Sequence, residues 1–585
     1  MRSRLLLAAT VAASLSIAAP AFAADPIMPL SQVQSGMQCT GLSVVRGTTI
    51  SSFDVEVIDV IEAAPSTDSA RILVEASGAA VDATGIGPGF SGSPIYCPDG
   101  GVQKNIGAIS ESIGDYGGKT VLATPIELIL ANSADPPRPR DAGDGIAASP
   151  RAAAAFRRMR REGTKPLAAP LTIGGVSAKL GRALERTGQR IGRPVIAVPA
   201  GPLGSFPPQV LQPGSAVSAG YSSGDLRVGA VGTVAYTDDG RVWGFGHPFE
   251  GAGARSLLLQ DAYVFKVVND PNASLTGGSY KLAIAGHDVG TLTNDAFSAI
   301  VGRMGALPMT TTVLASALDH DTGATRHVET TVADETVVDN PTGFTPLGAV
   351  APLAVAEAAG GVMRSSPGRL TGSMCLRITF RERPRTPARF CNRYLSSSIF
   401  GSDLGAIGNP VAFSAAIDAS TAISLIEAYK GRTPHVARVS ANVDMRRGER
   451  LAFLRRVRAP RRVRPGQRVR LAVTMQRIRG GNLTKHYRVR IPGGLKPGVR
   501  TLKLNGFEPN EFDEDLLAML LGISPDGEPI PDAPARLDDL IEAIGALGRW
   551  DGVELRLGGA ERRAFRDEDL VVTGSARTRV RIVRR

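Results

Sequence analysis

Alternating apolar and polar residues predict β-strands along most of this chain. The clearest run is Phe53–Val60, in which Phe, Val, Val and Val alternate with Asp, Glu and Asp. A period of two is typical of a strand with one buried face. Asp238-Asp239-Gly240 joins two such runs and predicts a hairpin turn. The other predicted strands are Arg71–Ala76, Asn105–Ile109, Lys119–Ala123, Val228–Tyr236, Val242–Phe245 and Val571–Val583.

Helical spacing is confined to a few segments. A short helix is expected to begin at Pro125, because proline suits the first turn of a helix. The remaining expected helices are Ala152–Arg161, Phe413–Tyr429, Glu511–Leu521 and Ala535–Leu547. The chain is therefore expected to be mainly β, with small α/β regions in its C-terminal half.

The 585 residues are too many for one core and predict several domains. Pro-Gly turns suggest an immunoglobulin-like sandwich in residues 438–505. The run Leu211–Val217 belongs to a candidate PDZ-like insert. The expected divisions are 1–23 signal peptide, 24–134 β-barrel, 135–164 linker, 165–310 second β-barrel, 311–437 mixed β/α region, 438–505 immunoglobulin-like region, and 506–585 C-terminal helices and strand.

The first residues predict export. Arg2 and Arg4 precede the apolar stretch Leu5–Ala19, and Ala21-Phe22-Ala23 matches an A-x-A cleavage site. The mature protein is expected to begin at Ala24, and to be secreted or associated with the cell envelope. No transmembrane segment is expected in the mature chain, because the best candidate, 344–363, is interrupted by prolines and a glutamate.

The four cysteines fit an oxidising compartment. Four cysteines allow three pairings. We expect Cys39 to pair with Cys97 and Cys375 with Cys391, because each pair then stays within one β-region. A zinc site is the alternative, but no C-x-x-C motif or histidine cluster supports it. No metal and no cofactor are therefore expected.

The formal charge of +12 raises the question of an anionic partner. Eleven arginines lie between Arg446 and Arg470, among Val457, Val463 and Val469. This alternation is typical of the exposed face of a sheet, although the segment could also bind anionic polymers of the envelope. Export makes nucleic acid an unexpected partner.

Two short turns carry the candidate chemistry. Gly89-Phe90-Ser91-Gly92-Ser93-Pro94 places a serine between glycines, and is similar to the nucleophile turn of trypsin-like proteases. His247 follows a predicted strand between Gly246 and Pro248, where its imidazole would have a fixed position. Ser91 is the expected nucleophile and His247 the expected base. The backbone N–H groups of Gly89 and Ser91 are the expected oxyanion hole.

These turns and their surroundings resemble the SpoIVB-type serine peptidases of spore-forming bacteria. The blocks that carry the resemblance are Phe53–Val57, Gly89–Ile95, Asn105–Ala108, Thr124–Glu127, Phe245–Phe249 and Gly290–Gly302. It covers about residues 30–310. The resemblance implies a Ser/His endopeptidase with a trypsin-like double β-barrel.

The order of the blocks differs from that family, because Ser91 precedes His247 by 156 residues. Catalytic groups occur in different chain orders on different folds, so a permuted pair of barrels would keep the chemistry. Asp295 follows His247 by 48 residues, in the last matching block, and is the expected acid of the triad. The alternatives are Asp261, Asp288, Asp82 and Asp54.

The expected function is a secreted or envelope-associated serine endopeptidase that acts on a narrow set of proteins. Two other functions remain open. One is a catalytically inactive envelope scaffold or binding protein with a peptidase-like fold. The other is a different hydrolase, such as an esterase. The natural substrate and the oligomeric state do not follow from the sequence.

Overall fold

A computed structural model describes most of the chain. The described residues are 24–62, 70–113, 116–135, 165–166, 170–198, 206–270, 278–336, 345–363, 369–396, 409–506, 534–547, 551–567 and 569–583. The predicted signal peptide, nearly all of the predicted linker, and the expected helices Ala152–Arg161 and Glu511–Leu521 lie outside these residues.

The first six strands form a closed antiparallel barrel. Their order is β1-β2-β3-β6-β5-β4, and β4 returns to pair with β1. A short helix α1 (Ile126–Leu130) follows the sixth strand, and β7 (Lys165–Pro166) pairs with the fifth. The barrel strands are β1 (Gln38–Arg46), β2 (Thr49–Ile61), β3 (Arg71–Ser77), β4 (Pro94–Asp99), β5 (Val102–Ser112) and β6 (Thr120–Pro125).

The alternation in β2 fills the barrel as the sequence predicts. Phe53, Val55 and Val57 are buried, while Asp54 and Glu56 between them are exposed. The disulfide Cys39–Cys97 joins β1 to β4 beside the pair Thr40 and Tyr96. It therefore links the strands at which the barrel closes.

A second sheet of eight strands packs against the barrel. Its order is β10-β14-β15-β16-β13-β12-β8-β9, and β10 also pairs with β12. The helix α2 (Ala178–Arg190), which the sequence analysis does not anticipate, packs on β9. The strands are β8 (Leu171–Gly174), β9 (Val195–Val198), β10 (Ala216–Gly220), β12 (Arg227–Asp238), β13 (Arg241–Gly244), β14 (Gly253–Asp270), β15 (Gly278–Ala296) and β16 (Ala299–Met304).

A third sheet carries two apolar helices that pack on each other, α3 (Pro346–Gly361) and α4 (Pro410–Glu427). The disulfide Cys375–Cys391 joins directly opposite residues of two of its strands. Helix α5 (Leu537–Gly545) lies within the expected Ala535–Leu547. The sheet order is β11-β18-β17-β21-β19-β20, with β11 (Ser222–Gly224), β17 (Thr310–Asp319), β18 (Thr325–Ala333), β19 (Leu370–Phe380), β20 (Arg383–Leu395) and β21 (Val436–Arg447).

Helix α4 is the one helix of the described chain that is long and apolar enough to cross a membrane, and 67% of it is buried inside the protein. Most of the segment 344–363, the best transmembrane candidate in the sequence, forms helix α3, which is also packed into the core of the third sheet.

Two C-terminal sheets share one hydrophobic core, and here the expected boundaries are wrong. The strand β21 belongs to the third sheet, because it pairs with β17 and β19. The sandwich instead uses strands from both sides of residue 506, so the divisions 438–505 and 506–585 do not separate structural units. Its strands are β22 (Leu451–Arg458), β23 (Arg462–Val463), β24 (Arg468–Arg477), β25 (Asn482–Arg490), β26 (Gly498–Asn505), β27 (Gly552–Leu557), β28 (Ala560–Arg566), β29 (Val571–Thr573) and β30 (Ser575–Ile582).

The protein is thus mainly β, as the alternation predicts. The two disulfides form as expected, and they indicate an oxidising compartment outside the cytoplasm.

Candidate active site

The predicted nucleophile turn lies in the loop between β3 and β4, at the edge of the barrel. Gly89 and Gly92 have φ angles of 97° and 89°, which L side chains rarely adopt. The amide of Gly92 donates to the carbonyl of Ile109, and the amide of Ile109 donates to the carbonyl of Ser93. These two bonds hold the turn against β5, and the glycines let it bend tightly around Ser91.

Ser91 is completely buried, and its Oγ has no hydrogen-bond partner among the described residues. Its amide and the amide of Gly89 also donate to no acceptor in the described part of the chain. Buried donors are nearly always bonded, so this group of free donors on one turn is unusual. The turn therefore holds a buried hydroxyl and two backbone N–H groups that have no acceptor among the described residues.

The two free N–H groups are held in position through the carbonyls of their own peptide units. The Gly89 N–H and the Pro88 carbonyl belong to one peptide unit. That carbonyl accepts a hydrogen bond of 2.9 Å from the amide of Lys281. The Ser91 N–H and the Phe90 carbonyl likewise belong to one peptide unit. That carbonyl accepts hydrogen bonds from the Ser93 amide at 2.9 Å and from the Ser93 hydroxyl at 2.6 Å. Because a peptide unit is planar, fixing each carbonyl also fixes the direction of its N–H.

Lys281, on β15, lies directly under this turn. Its Nζ donates to Ser43 Oγ at 2.7 Å and lies 4.4 Å from the centre of the Phe90 ring. Nζ is also 3.3 Å from Thr233 Oγ1, which itself donates to the Gly89 carbonyl. Burial lowers the pKa of Lys281 to about 7. The sequence analysis missed this lysine, because it lies in a strand 190 residues beyond the serine.

His247 follows β13 in a turn with an unusual backbone. Phe245 and Gly246 have φ angles of 66° and 68°. For a bulky residue such as Phe245 this conformation costs about 1–3 kcal/mol, and it persists only where the surroundings enforce it. The amide of Phe245 donates to Thr233, and its ring is fully buried against Gly232. The strained turn therefore gives the histidine a fixed position.

The imidazole of His247 is almost fully buried, and its Nδ1 lies 2.7 Å from the Pro248 carbonyl oxygen. A carbonyl oxygen can only accept a hydrogen bond, so Nδ1 carries a proton. In the neutral ring the proton acceptor is then Nε2, as a general base requires. In a trypsin-like triad a carboxylate accepts the bond from this nitrogen, whereas here the carbonyl of Pro248 accepts it. No sequence signal identifies such a carbonyl.

The serine turn and the histidine turn come together where the barrel meets the second sheet. The Thr233 amide on β12 donates to the Ser91 carbonyl at 2.8 Å, and the Thr124 hydroxyl on β6 donates to the Gly246 carbonyl at 2.7 Å. Each turn is thus bonded to the sheet that carries the other. A Cβ added to Gly246 would lie 3.3 Å from the Ile109 carbonyl, which also accepts from the serine turn.

The structure corrects the role expected for Asp295. Its two carboxylate oxygens accept from the amides of Phe249, Glu250 and Ala252, in the loop that follows the histidine. The direct carboxylate–imidazole bond of a triad is replaced by the bond from Nδ1 to Pro248, so Asp295 shapes the loop instead. The side chain is buried, and this burial raises its pKa to about 6 despite the neighbouring Arg255.

A buried ionic network supports the same loop. The fully buried Arg255 bonds Glu335 through Nε and a terminal nitrogen, and bonds Glu250 at 2.7 Å. The other oxygen of Glu250 accepts from Tyr221 and Arg193. Buried charges persist when they are paired and hydrogen-bonded in this way. The network ties the loop after His247 to the second and third sheets.

The alternative aspartates have other partners. Asp261 accepts from the amides of Gln209 and His287, and Asp288 accepts from Ser223 and Gln260. Asp82 pairs with Lys119 at the surface, and Asp54 is an exposed residue of β2. Within the described residues, no group of three or more His, Cys, Asp or Glu side chains could hold a metal ion.

Comparison with protein-family models, with curated proteins and with solved structures finds no match for this chain.

Proposed function

We propose that this protein is an extracytoplasmic serine endopeptidase in which Ser91 is the nucleophile and His247 the base. The observation that carries the proposal is the Ser91 turn, where a buried hydroxyl lies beside the two unbonded N–H groups of Gly89 and Ser91. Backbone donors without an acceptor beside a serine hydroxyl suit a negative charge that develops during a reaction. The disulfides support a site that operates outside the cytoplasm.

In the proposed reaction, His247 Nε2 takes the proton of Ser91 Oγ while Oγ bonds to the carbonyl carbon of a peptide. The resulting oxyanion accepts from the N–H groups of Gly89 and Ser91. When the intermediate collapses, the C–N bond breaks and His247 gives the proton to the leaving amine. A water molecule then hydrolyses the acyl-enzyme by the same steps, with His247 as base.

The buried position of the site fits a peptidase with a narrow range of substrates. Ser91 and His247 are both almost fully enclosed, so a peptide can reach Oγ only after the covering segments move. The described structure then corresponds to a closed form. A small probe can enter during brief openings, whereas a protein substrate must hold the site open at a cost in free energy. Such a requirement excludes most proteins as substrates.

The arrangement of sheets supports a trypsin-like pair of barrels in permuted order. The serine turn belongs to the closed barrel β1–β6, and the histidine turn to a sheet in which β10 pairs with both β12 and β14. A second barrel formed by these strands would give the plan implied by the resemblance to SpoIVB-type peptidases.

An inactive envelope scaffold is the second candidate. The enclosure of Ser91 and the position of Asp295 away from the imidazole both favour it. The two functions differ in whether Ser91 reacts with an electrophile that requires an activated nucleophile.

The test is labelling of the purified mature protein with a fluorophosphonate under conditions that preserve the disulfides. We expect labelling at Ser91, and we expect it to disappear in S91A and H247A, since loss of either group costs about 10⁶-fold in rate. Peptide and ester libraries would then distinguish a peptidase from an esterase.

The chain contains a matched control. Ser316 Oγ lies 2.9 Å from His327 Nδ1 on the third sheet, in regular strands and outside any glycine turn. We expect S316A and H327A to label like the unmodified protein. A native, folded protein that does not label at Ser91 would support the scaffold and overturn the peptidase.

A further inference from the structure

The C-terminal sandwich contains a long segment without acidic residues. Residues 451–506 include thirteen arginines and three lysines, but no aspartate or glutamate. The segment forms the strands β22 to β26. Its charge is therefore concentrated in one structural unit, far along the chain from the serine and histidine turns.

The pairing of β24 with β25 gathers four of these arginines on one face. Arg470 lies directly opposite Arg488, and Arg468 directly opposite Arg490. All four are exposed. Their side chains share a face because residues two apart on a strand, and opposite residues of adjacent strands, point the same way.

The neighbouring strand extends this face. Arg458 of β22 is exposed and lies opposite Ala472, which is two residues from Arg470 on β24. We call the surface formed by Arg458, Arg468, Arg470, Arg488 and Arg490 the arginine face. The opposite side of the same strands, which includes Val469, Leu471 and Val489, is buried in the sandwich core.

No arginine of the face forms an ion pair with a described carboxylate. Among the described residues, the one hydrogen bond that these five side chains form runs from Arg490 to the carbonyl of Gly466. Like charges directly opposite on adjacent strands destabilise a sheet. The unfavourable arrangement is maintained by the core beneath it, and no carboxylate of the described residues neutralises the guanidinium groups.

We propose that the arginine face binds a linear anionic polymer of the extracytoplasmic space. Alternate residues of a strand are about 7 Å apart and neighbouring strands about 5 Å apart, so the face repeats positive charge at short, regular intervals. A chain that repeats sulfate, phosphate or carboxylate groups can engage several guanidiniums together, each through paired N–H donors.

A membrane surface fits the face less well. Proteins that lie on a membrane usually add aromatic or large aliphatic side chains that enter the acyl boundary. The other outward positions around these arginines hold Ala472, Thr474 and His486. We therefore commit to a polymer, and vesicle binding becomes an outcome of the test.

The experiment measures binding of the full mature protein to dextran sulfate. We expect binding that weakens as salt is added, because exposed charges are screened. R470Q/R488Q should bind at least about tenfold more weakly, since each charge-assisted bond to an anion contributes more than 1 kcal/mol. S91A should bind like the unmodified protein, which separates this proposal from the peptidase.

The matched control is R377Q/R389Q. Arg377 and Arg389 are also exposed and directly opposite, on β19 and β20 of the third sheet. We expect this variant to bind within about twofold of the unmodified protein. Equal losses in both variants would show that net charge alone drives binding and would overturn the proposal. Binding to phosphatidylglycerol vesicles without binding to dextran sulfate would also overturn it.

Discussion

The amide of Thr233 donates a 2.8 Å hydrogen bond to the carbonyl of Ser91, and the carbonyl of Thr233 accepts from the amide of Phe245. One residue of β12 therefore joins the serine turn to the turn that carries His247. Both bonds use backbone atoms, so the relation between the turns depends on how closely their backbones approach. Gly92, which follows the serine, makes this approach sterically feasible.

We predict that Gly92→Ala separates the two turns. A Cβ at this position would lie 1.9 Å from the Thr233 carbonyl oxygen and 2.5 Å from the Phe245 nitrogen, both of them backbone atoms. The variant should lose at least about 100-fold in the rate of fluorophosphonate labelling, because small displacements of catalytic groups have effects of that size.

Gly101→Ala is the control for backbone conformation. Gly101 has a φ of 84°, close to the 89° of Gly92, but an added Cβ there meets no atom within 4 Å. The conformational cost, about 1 kcal/mol, is similar in both variants. Equal labelling of the two variants would contradict the importance of the close approach.

We predict that Lys281→Met changes how stability depends on pH. The pKa of Lys281 is about 7 in the folded protein and 10.5 in a model peptide. Between these values the unfolded chain binds a proton that the folded chain lacks, so stability rises with pH across this window, by about 4–5 kcal/mol for this group alone. The variant should lack this rise.

The measurement is urea denaturation of the unmodified protein and of K281M at several pH values from about 6 to about 10, which cover most of the interval between the two pKa values. The difference in unfolding free energy between them should change steadily in favour of the lysine as the pH increases. Parallel curves would show that Lys281 keeps an ordinary pKa.

Asp295→Asn tests whether this residue positions the loop or acts as the acid of a triad. An asparagine offers one acceptor oxygen in place of two, so either the amide of Phe249 or the amides of Glu250 and Ala252 lose their acceptor, at a cost of about 1–3 kcal/mol near neutral pH. We expect labelling to slow by about tenfold. A triad acid would cost about 10⁴-fold.

The pH dependence of Asp295 has the opposite sign to that of Lys281. The pKa of Asp295 is about 6 in the folded protein, whereas the ordinary pKa of an aspartate is 3.8. Its contribution to stability therefore decreases as pH rises from about 4 to 6, by about 3 kcal/mol. D295N should remove this decrease, and D82N at the surface should retain it.

The two disulfides should contribute unequally to stability. Cys39 and Cys97 are 58 residues apart, and Cys375 and Cys391 are 16 apart. Because each disulfide reduces the chain entropy of the unfolded state, the one that closes the longer loop should stabilise the protein by about 4 kcal/mol and the other by about 3 kcal/mol. Calorimetry of C39S/C97S and C375S/C391S measures both. A larger loss in C375S/C391S would contradict the entropic account.

The sequence predicts those features that depend on local pattern. The strand at Phe53–Val60 is found within β2 because half-burial imposes a period of two on its residues. The turn at Asp239 and Gly240 forms because both residues adopt the positive φ angles that a tight hairpin requires. Both cysteine pairs are also correct, since each joins strands of one sheet.

The features that the sequence does not reveal depend on contacts between distant strands. Lys281 reaches the serine turn only because β15 packs against the barrel, and nothing in its neighbourhood in the sequence marks it. The bond from His247 to Pro248 involves a carbonyl, which every residue has. The boundary expected at 505 fails because β26 pairs with β30, more than 70 residues later.

The reciprocal bonds between the barrel and the second sheet determine when, during synthesis, the serine and histidine turns can come together. A chain that emerges N-terminus first displays the serine turn long before Thr233, His247 or Lys281 has appeared. Until β15 is in place, the Pro88 carbonyl lacks the Lys281 amide, whose bond orients the peptide unit that carries the Gly89 N–H. If Ser91 and His247 act as proposed, a nascent chain is inert toward its neighbours, and hydrolysis becomes possible only once about half of the polypeptide has been delivered and folded.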